Sequence, residues 1–400
     1  MKRSATRRLL CAAVCAGTLA FTAGFTGAVA GADPTSTATP TTTATPTTTA
    51  TPTTAAPTTM ATTSSSTDPK QQLIGIITNG LKDKSKQPVA DTGGSSASDT
   101  KGSGPEMSAF LAAFGYSLLN PDVAPPGVND WSCKPSSQHP RPVVLVHGTW
   151  ANAYDSFAYM SKPIKDAGFC EFAFNYGRSD LLDGGGVGSV LPGAYGTGDI
   201  PTSAKQLATF VDRVLSATGA PQVDVIGWSQ GGAMTNYYTK YEGGASKVKN
   251  LITYGATHHG TTLDGIGSLG RAINNFGIDV LGPISLVVGA SGIQQTVGSD
   301  FINKLNANGD TVSGINYTIV GTRYDEITTP YDSTFLQAGA GATVHNITLQ
   351  DGCGEDMSDH LTMMYSPRAL SIALNALDPA KYPDLKCAPN PWLIGGGGHP

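Results

Sequence analysis

One serine in this chain sits where a nucleophile would. The run Val223-Asp-Val-Ile-Gly-Trp-Ser229-Gln-Gly-Gly places Ser229 in Gly-x-Ser-x-Gly, after an apolar strand pattern and before a helix-compatible segment. A five-residue match alone means little in a chain with 49 glycines. The strand before and the helix after give it meaning, because a sharp strand-to-helix turn lifts a serine hydroxyl above a sheet, where it can attack a carbonyl carbon. The alternative is an ordinary turn.

A serine hydroxyl needs a base, and the base needs a carboxylate to fix its tautomer. On such a scaffold the chain order is Ser, then Asp or Glu, then His. Downstream of Ser229 the histidines are His258, His259, His345, His360 and His399. His360 follows the last strand pattern and is the expected base. His258 and His259 come too early in the order, His345 lies within a strand pattern, and His399 is in a glycine-rich tail. Asp325 lies just past the strand pattern Asn316–Gly321 and is the expected acid, with Glu326 as its closest competitor. An oxyanion needs two backbone N–H donors. The expected pair is Gln230, after the serine, and Thr149, in the loop after Val143-Val-Leu-Val-His147. His147 reads as a brace for that loop.

These groups need a scaffold with strand ends side by side. Strand patterns fall at 143–147, 171–176, 223–228, 249–254, 316–321 and 343–349. Helical patterns fall near 107–118, 153–167, 202–218, 230–241 and 366–377. Alternating strands and helices predict an α/β fold, a mostly parallel sheet of about six strands with helices on both faces. Open sheets of this kind place ligands beyond the strands' carboxyl ends.

The rest of the chain has a different composition. Residues 1–30 read as a secretory signal: Lys2, Arg3, Arg7 and Arg8, an apolar run, then Ala28-Val-Ala30. Residues 31–105 read as a Thr/Pro/Ser-rich stalk or linker, glycosylated or bare, with a short apolar island at 73–81. The catalytic domain is expected over 106–395. Loss of the signal would take four of the 25 basic residues and none of the 30 acidic ones, for a net charge of about −9. That balance excludes nucleic acid as the expected partner. The stalk leaves cell-envelope association open for a secreted, monomeric protein.

With those residues in place, the chain resembles the secreted class 2 triacylglycerol lipases and esterases of actinobacteria, an α/β-hydrolase family. The resemblance covers about residues 120–390. It rests on Asn129-Asp-Trp-Ser-Cys133, His139–Thr149, Cys170–Tyr176, Gly227–Gly232, Gly255–Thr261, Tyr324–Pro330 and Asp359-His360-Leu361. It implies the triad Ser229, Asp325 and His360, and hydrolysis of carboxylic esters without metal or cofactor. The family usually has His where this chain has Trp228. A cutinase-like or polyester hydrolase, an acyltransferase with the same triad, and an inactive stalked wall protein are the competing readings.

Two glycine-rich or apolar segments, 181–200 and 263–298, either cover the core or wall an acyl site. Outside the signal, four cysteines remain: Cys133, Cys170, Cys353 and Cys387. Four cysteines allow three pairings. The local one, Cys133–Cys170 and Cys353–Cys387, is expected because it ties the entry segment to the sheet and anchors the loop carrying His360.

Overall fold

The structure, a computed structural model, describes residues 95–180, 184–262, 265 and 284–393. These belong to one compact unit. The expected signal, most of the linker with its apolar island, much of the segment 263–298 and His399 lie outside the described residues. Among the described residues no helix is long and apolar enough to cross a membrane.

A seven-stranded sheet forms the centre, in the order β1-β3-β2-β4-β5-β6-β7. The strands are β1 (Ser96–Asp99), β2 (Val143–Val146), β3 (Glu171–Arg178), β4 (Val223–Trp228), β5 (Val248–Tyr254), β6 (Asn316–Gly321) and β7 (Thr343–Thr348). β2 to β7 are all parallel, and β1 runs antiparallel along β3. The central strands are buried on both faces, which is why they read as unbroken apolar runs such as Val143-Val-Leu-Val146.

β1 corrects the expected boundary at residue 105. Ser96-Ala-Ser-Asp99 has no apolar alternation and reads as linker, yet Ser96 pairs with Arg178 and Asp99 with Phe174. Main-chain hydrogen bonds hold this polar edge strand, and composition carries no trace of them.

Helices cover both faces. α1 (Phe110–Leu119), α2 (Ala153–Phe157) and α3 (Ser161–Asp166) lie on one. α4 (Ile200–Thr218) and α5 (Gln230–Tyr241) lie on the other, followed by α6 (Ile284–Gln294), α7 (Asp300–Asn306) and α8 (Pro367–Leu377), with α8 on the first face. Alternate residues of β2 divide between two cores: Val143 and Leu145 join Tyr154, Phe157 and Ile372, whereas Val144 and Val146 join Leu207, Val211 and Met234. The single helix expected over 153–167 is two helices. Pro163 lacks an N–H, and its ring crowds the carbonyl four residues back, so the pattern breaks at 158–160. α4 is capped by the Asp199 carboxylate, which accepts the Thr202 N–H, and ends at Gly219 in the left-handed region.

Candidate active site

The segments after the carboxyl ends of β4, β6 and β7 carry Ser229, Asp325 and His360. Ser229 joins β4 to α5 at φ 54°, ψ −126°, a conformation a side chain rarely adopts. Such strain costs roughly 1–3 kcal/mol and persists only where the surroundings enforce it. Here the Ser229 N–H donates to Tyr254 O on β5 at 2.8 Å. The helix then passes so close to β2 that a Cβ on Gly231 would collide with the Val146 and His147 carbonyl oxygens.

Asp325 and His360 meet beside this turn. His360 Nδ1 lies 3.0 and 2.9 Å from the two Asp325 carboxylate oxygens, and both side chains are buried. Asp325 Oδ1 also accepts the Ile327 and Thr328 N–H groups, at 3.0 and 2.6 Å. Those donors belong to the turn after β6, so the backbone itself aims the carboxylate. With Nδ1–H directed at Asp325, Nε2 is left as the basic nitrogen. Gly255 follows Tyr254, and its missing Cβ makes room for the pair. A Cβ there would lie 3.0 Å from both Asp325 Oδ2 and His360 Nδ1.

Trp228 has a structural role that its place in the sequence did not reveal. Its indole N–H donates to the His360 carbonyl at 3.1 Å, and the two rings lie 5.6 Å apart. Neighbouring residues of the elbow thus carry the serine and hold the histidine's main chain.

The two residues expected as oxyanion donors lie after β2 and at the start of α5. Gln230 is the first residue of α5, and first-turn N–H groups have no intrahelical acceptor. Thr149 follows β2. Its hydroxyl accepts the side-chain amides of Gln230 at 3.1 Å and of Gln295 at 2.8 Å. Gln295 in turn accepts the Thr257 hydroxyl at 2.9 Å. Its role was not visible in the sequence, because no spacing marks a glutamine just past α6 as a partner of the loop after β2.

His147 is buried and braces that loop. Its ring stacks on Tyr176 at 4.1 Å, Nε2 accepts the Tyr176 N–H at 3.1 Å, and Nδ1 donates to Gly148 O at 2.8 Å. Burial pushes its pKa down to about 3, so it stays neutral.

The family model for the class 2 lipases, "Lipase (class 2)", matches residues 140–351. The chain belongs to the class 2 lipase family. Two curated relatives are each 27% identical over 212 residues, half of this chain. A triacylglycerol lipase of Pseudarthrobacter phenanthrenivorans is covered over 56% of its length, and one of Burkholderia plantarii over 49%. The match therefore spans about half the length of the curated relatives. Among solved structures, Aspergillus fumigatus lipase B is 20% identical with a TM-score of 0.48, over 64% of this chain and 55% of that one. Bacillus licheniformis lipase BlEst2 is 14% identical with a TM-score of 0.39, over 61% and 94%.

The other histidines of this class 2 lipase stand apart from the Asp325–His360 pair. His258 is buried against Thr253 at 3.2 Å, and burial lowers its pKa well below the usual range. His259 pairs with Asp310 at 3.1 Å, and His345 lies on the exposed edge strand β7.

Glu326, the competitor for the acid, does not face His360 Nδ1. It is buried behind the Asp325–His360 pair, where one oxygen lies 3.4 Å from the His360 backbone nitrogen and the other has no hydrogen-bond partner. Burial first, then the Asp359 and Asp325 carboxylates, raise its pKa to about 9. It is a neutral acid at neutral pH.

Both disulfides pair as expected, Cys133 with Cys170 and Cys353 with Cys387, across Cα distances of 5.9 and 5.3 Å. Among the described residues the one cluster of metal-type ligands is Cys353, Glu355 and Cys387, and its cysteines are joined in that disulfide. The two segments weighed as an acyl wall meet where they are described. The Ala290 N–H donates to Gly184 O at 2.8 Å.

Proposed function

We propose that this class 2 lipase hydrolyses carboxylic esters by a Ser-His-Asp mechanism. The observation that carries the proposal is the Asp325–His360 pair beside a serine on a strained elbow. In this reading, His360 Nε2 takes the Ser229 proton as the oxygen attacks the ester carbonyl. The Thr149 and Gln230 N–H groups receive the developing oxyanion. His360 then protonates the leaving alcohol, and a water deprotonated by the same nitrogen releases the acid and regenerates Ser229. Asp325 keeps the imidazole in the Nδ1–H tautomer and stabilises the imidazolium.

The substrate is proposed to be an acylglycerol or a similar lipid ester, by analogy with the triacylglycerol lipases the chain matches. Export is proposed from the signal-like residues 1–30, and two disulfides are compatible with an oxidising compartment. The protein is proposed to act as a monomer, with the stalk serving any envelope association. The test is a rate series over p-nitrophenyl esters from acetate to palmitate and over emulsified triacylglycerol. Turnover of the series with a preference among acyl lengths is expected. Failure to cleave any carboxylic ester would overturn the reading.

A further inference from the structure

In the peptide after Cys387, Pro389, Pro391 and Trp392 are exposed, while Leu393 packs against the edge of the first core. The polar groups of this peptide converge on the loop that carries His360. The Asn390 carbonyl accepts the Met357 N–H at 2.9 Å. The Asn390 side-chain amide donates to Ser358 Oγ and to the Thr362 carbonyl, both at 2.9 Å. The Leu393 N–H donates to Asp359 Oδ2 at 2.7 Å. Trp392 meets the ring of Tyr324, the residue before Asp325, at 5.7 Å. Met357, Ser358, Asp359 and Thr362 flank His360 on both sides, and each is bonded to this one short peptide.

The Asp359 contact is the most informative. Its carboxylate is fully buried, and a buried charge needs donors. Thr362 supplies two, its N–H at 2.9 Å and its hydroxyl at 2.8 Å, both to Oδ1. Leu393, whose side chain packs against the first core, brings a backbone donor to the other oxygen. A loop of this kind opens locally at low cost unless it is tied down. A misplacement of about 1 Å at a reacting group can lower a rate 100-fold.

We propose that Asn390 and the Leu393 N–H are positioning groups that hold His360 in register with Asp325 and Ser229. They act through residues 357–362 and touch no reacting atom. The inference rests on His360 being the general base.

The test uses the full chain with Asn390→Ala, Leu393→Pro and Leu393→Ala, and with His360→Ala as a control. Leu393→Pro removes the N–H that reaches Asp359, whereas Leu393→Ala keeps it. Expected for Asn390→Ala and Leu393→Pro is a kcat lowered about 10- to 100-fold, with KM unchanged at temperatures far below Tm. Leu393→Ala, which loses only side-chain packing, should keep at least several times the kcat of Leu393→Pro. Wild-type kcat in Asn390→Ala and Leu393→Pro, beside an inactive His360→Ala, would overturn the proposal and leave the triad standing. A loss that only tracks the unfolded fraction would overturn it too. Wild-type activity in His360→Ala would instead overturn the reading on which it rests.

Discussion

Replacing Glu326 with Gln should change how stability depends on pH, in a direction and slope that follow from its surroundings. In the unfolded chain this glutamate ionises near its usual value of 4.5, whereas in the folded protein it holds its proton up to about 9. Between those values the folded state binds a proton that the unfolded state has released. The contribution of Glu326 to stability is therefore fully present below about pH 4.5 and is lost as pH rises towards 9. One differentially bound proton corresponds to about 1.4 kcal/mol per pH unit, and the whole window to the order of 6 kcal/mol. Glutamine keeps the shape and cannot ionise, so the variant lacks this slope. The assay is thermal unfolding of both proteins from pH 5 to pH 9. The Tm of Glu326→Gln minus that of the wild type should rise steadily with pH, by about 2–4 °C per unit for a domain of this size. Comparing the two proteins cancels the titrating groups that lie away from Glu326 and its carboxylate neighbours Asp325 and Asp359. Parallel Tm curves would refute the reasoning, because they would mean that Glu326 ionises alike in both states.

Gly255→Ala places a Cβ 3.0 Å from Asp325 and His360 at a residue with φ 52°. It should lower kcat at least tenfold, by an estimate of order 1–3 kcal/mol for strain at such a site, with far-ultraviolet circular dichroism unchanged. Cys353→Ser with Cys387→Ser should cost about 4 kcal/mol by loop-closure entropy across a separation of 34 residues. It should reduce activity below Tm more than Cys133→Ser with Cys170→Ser does, as paired melting and rate measurements would check. Gln295→Leu removes one of the two amides on the Thr149 hydroxyl. A fall in kcat with little change in KM is expected from steady-state kinetics.

The proposed triad could be read from the sequence because each member follows a strand pattern marked by local chemistry. Ser229 is flanked by the glycines of a tight elbow, Asp325 follows an apolar strand, and His360 follows the last one. The central strands were legible for a related reason: burial on both faces leaves apolar runs that no helix pattern imitates. β1 was not, since an edge strand held by main-chain bonds needs no apolar residues. Glu326 and Gln295 were not legible either. A buried glutamate and a bridging glutamine acquire their roles from neighbours dozens of residues away, such as Asp359 and Thr149. Trp228 was visible as a neighbour of the serine, but its hydrogen bond to His360 spans 132 positions in the chain. The same holds for Asn390 and Leu393, whose partners on the His360 loop lie 28 to 34 positions earlier in the chain.

The central claim is that Ser229 is the nucleophile of a serine ester hydrolase. The most direct measurement is intact-mass and peptide mapping after treatment with a fluorophosphonate, on the wild type and on Ser229→Ala. One adduct per chain is expected, on the peptide containing Ser229. It should be absent from Ser229→Ala, together with a loss of ester hydrolysis of about 10⁴- to 10⁶-fold. An adduct on another residue, or a folded Ser229→Ala protein that keeps near-normal activity, would contradict the account.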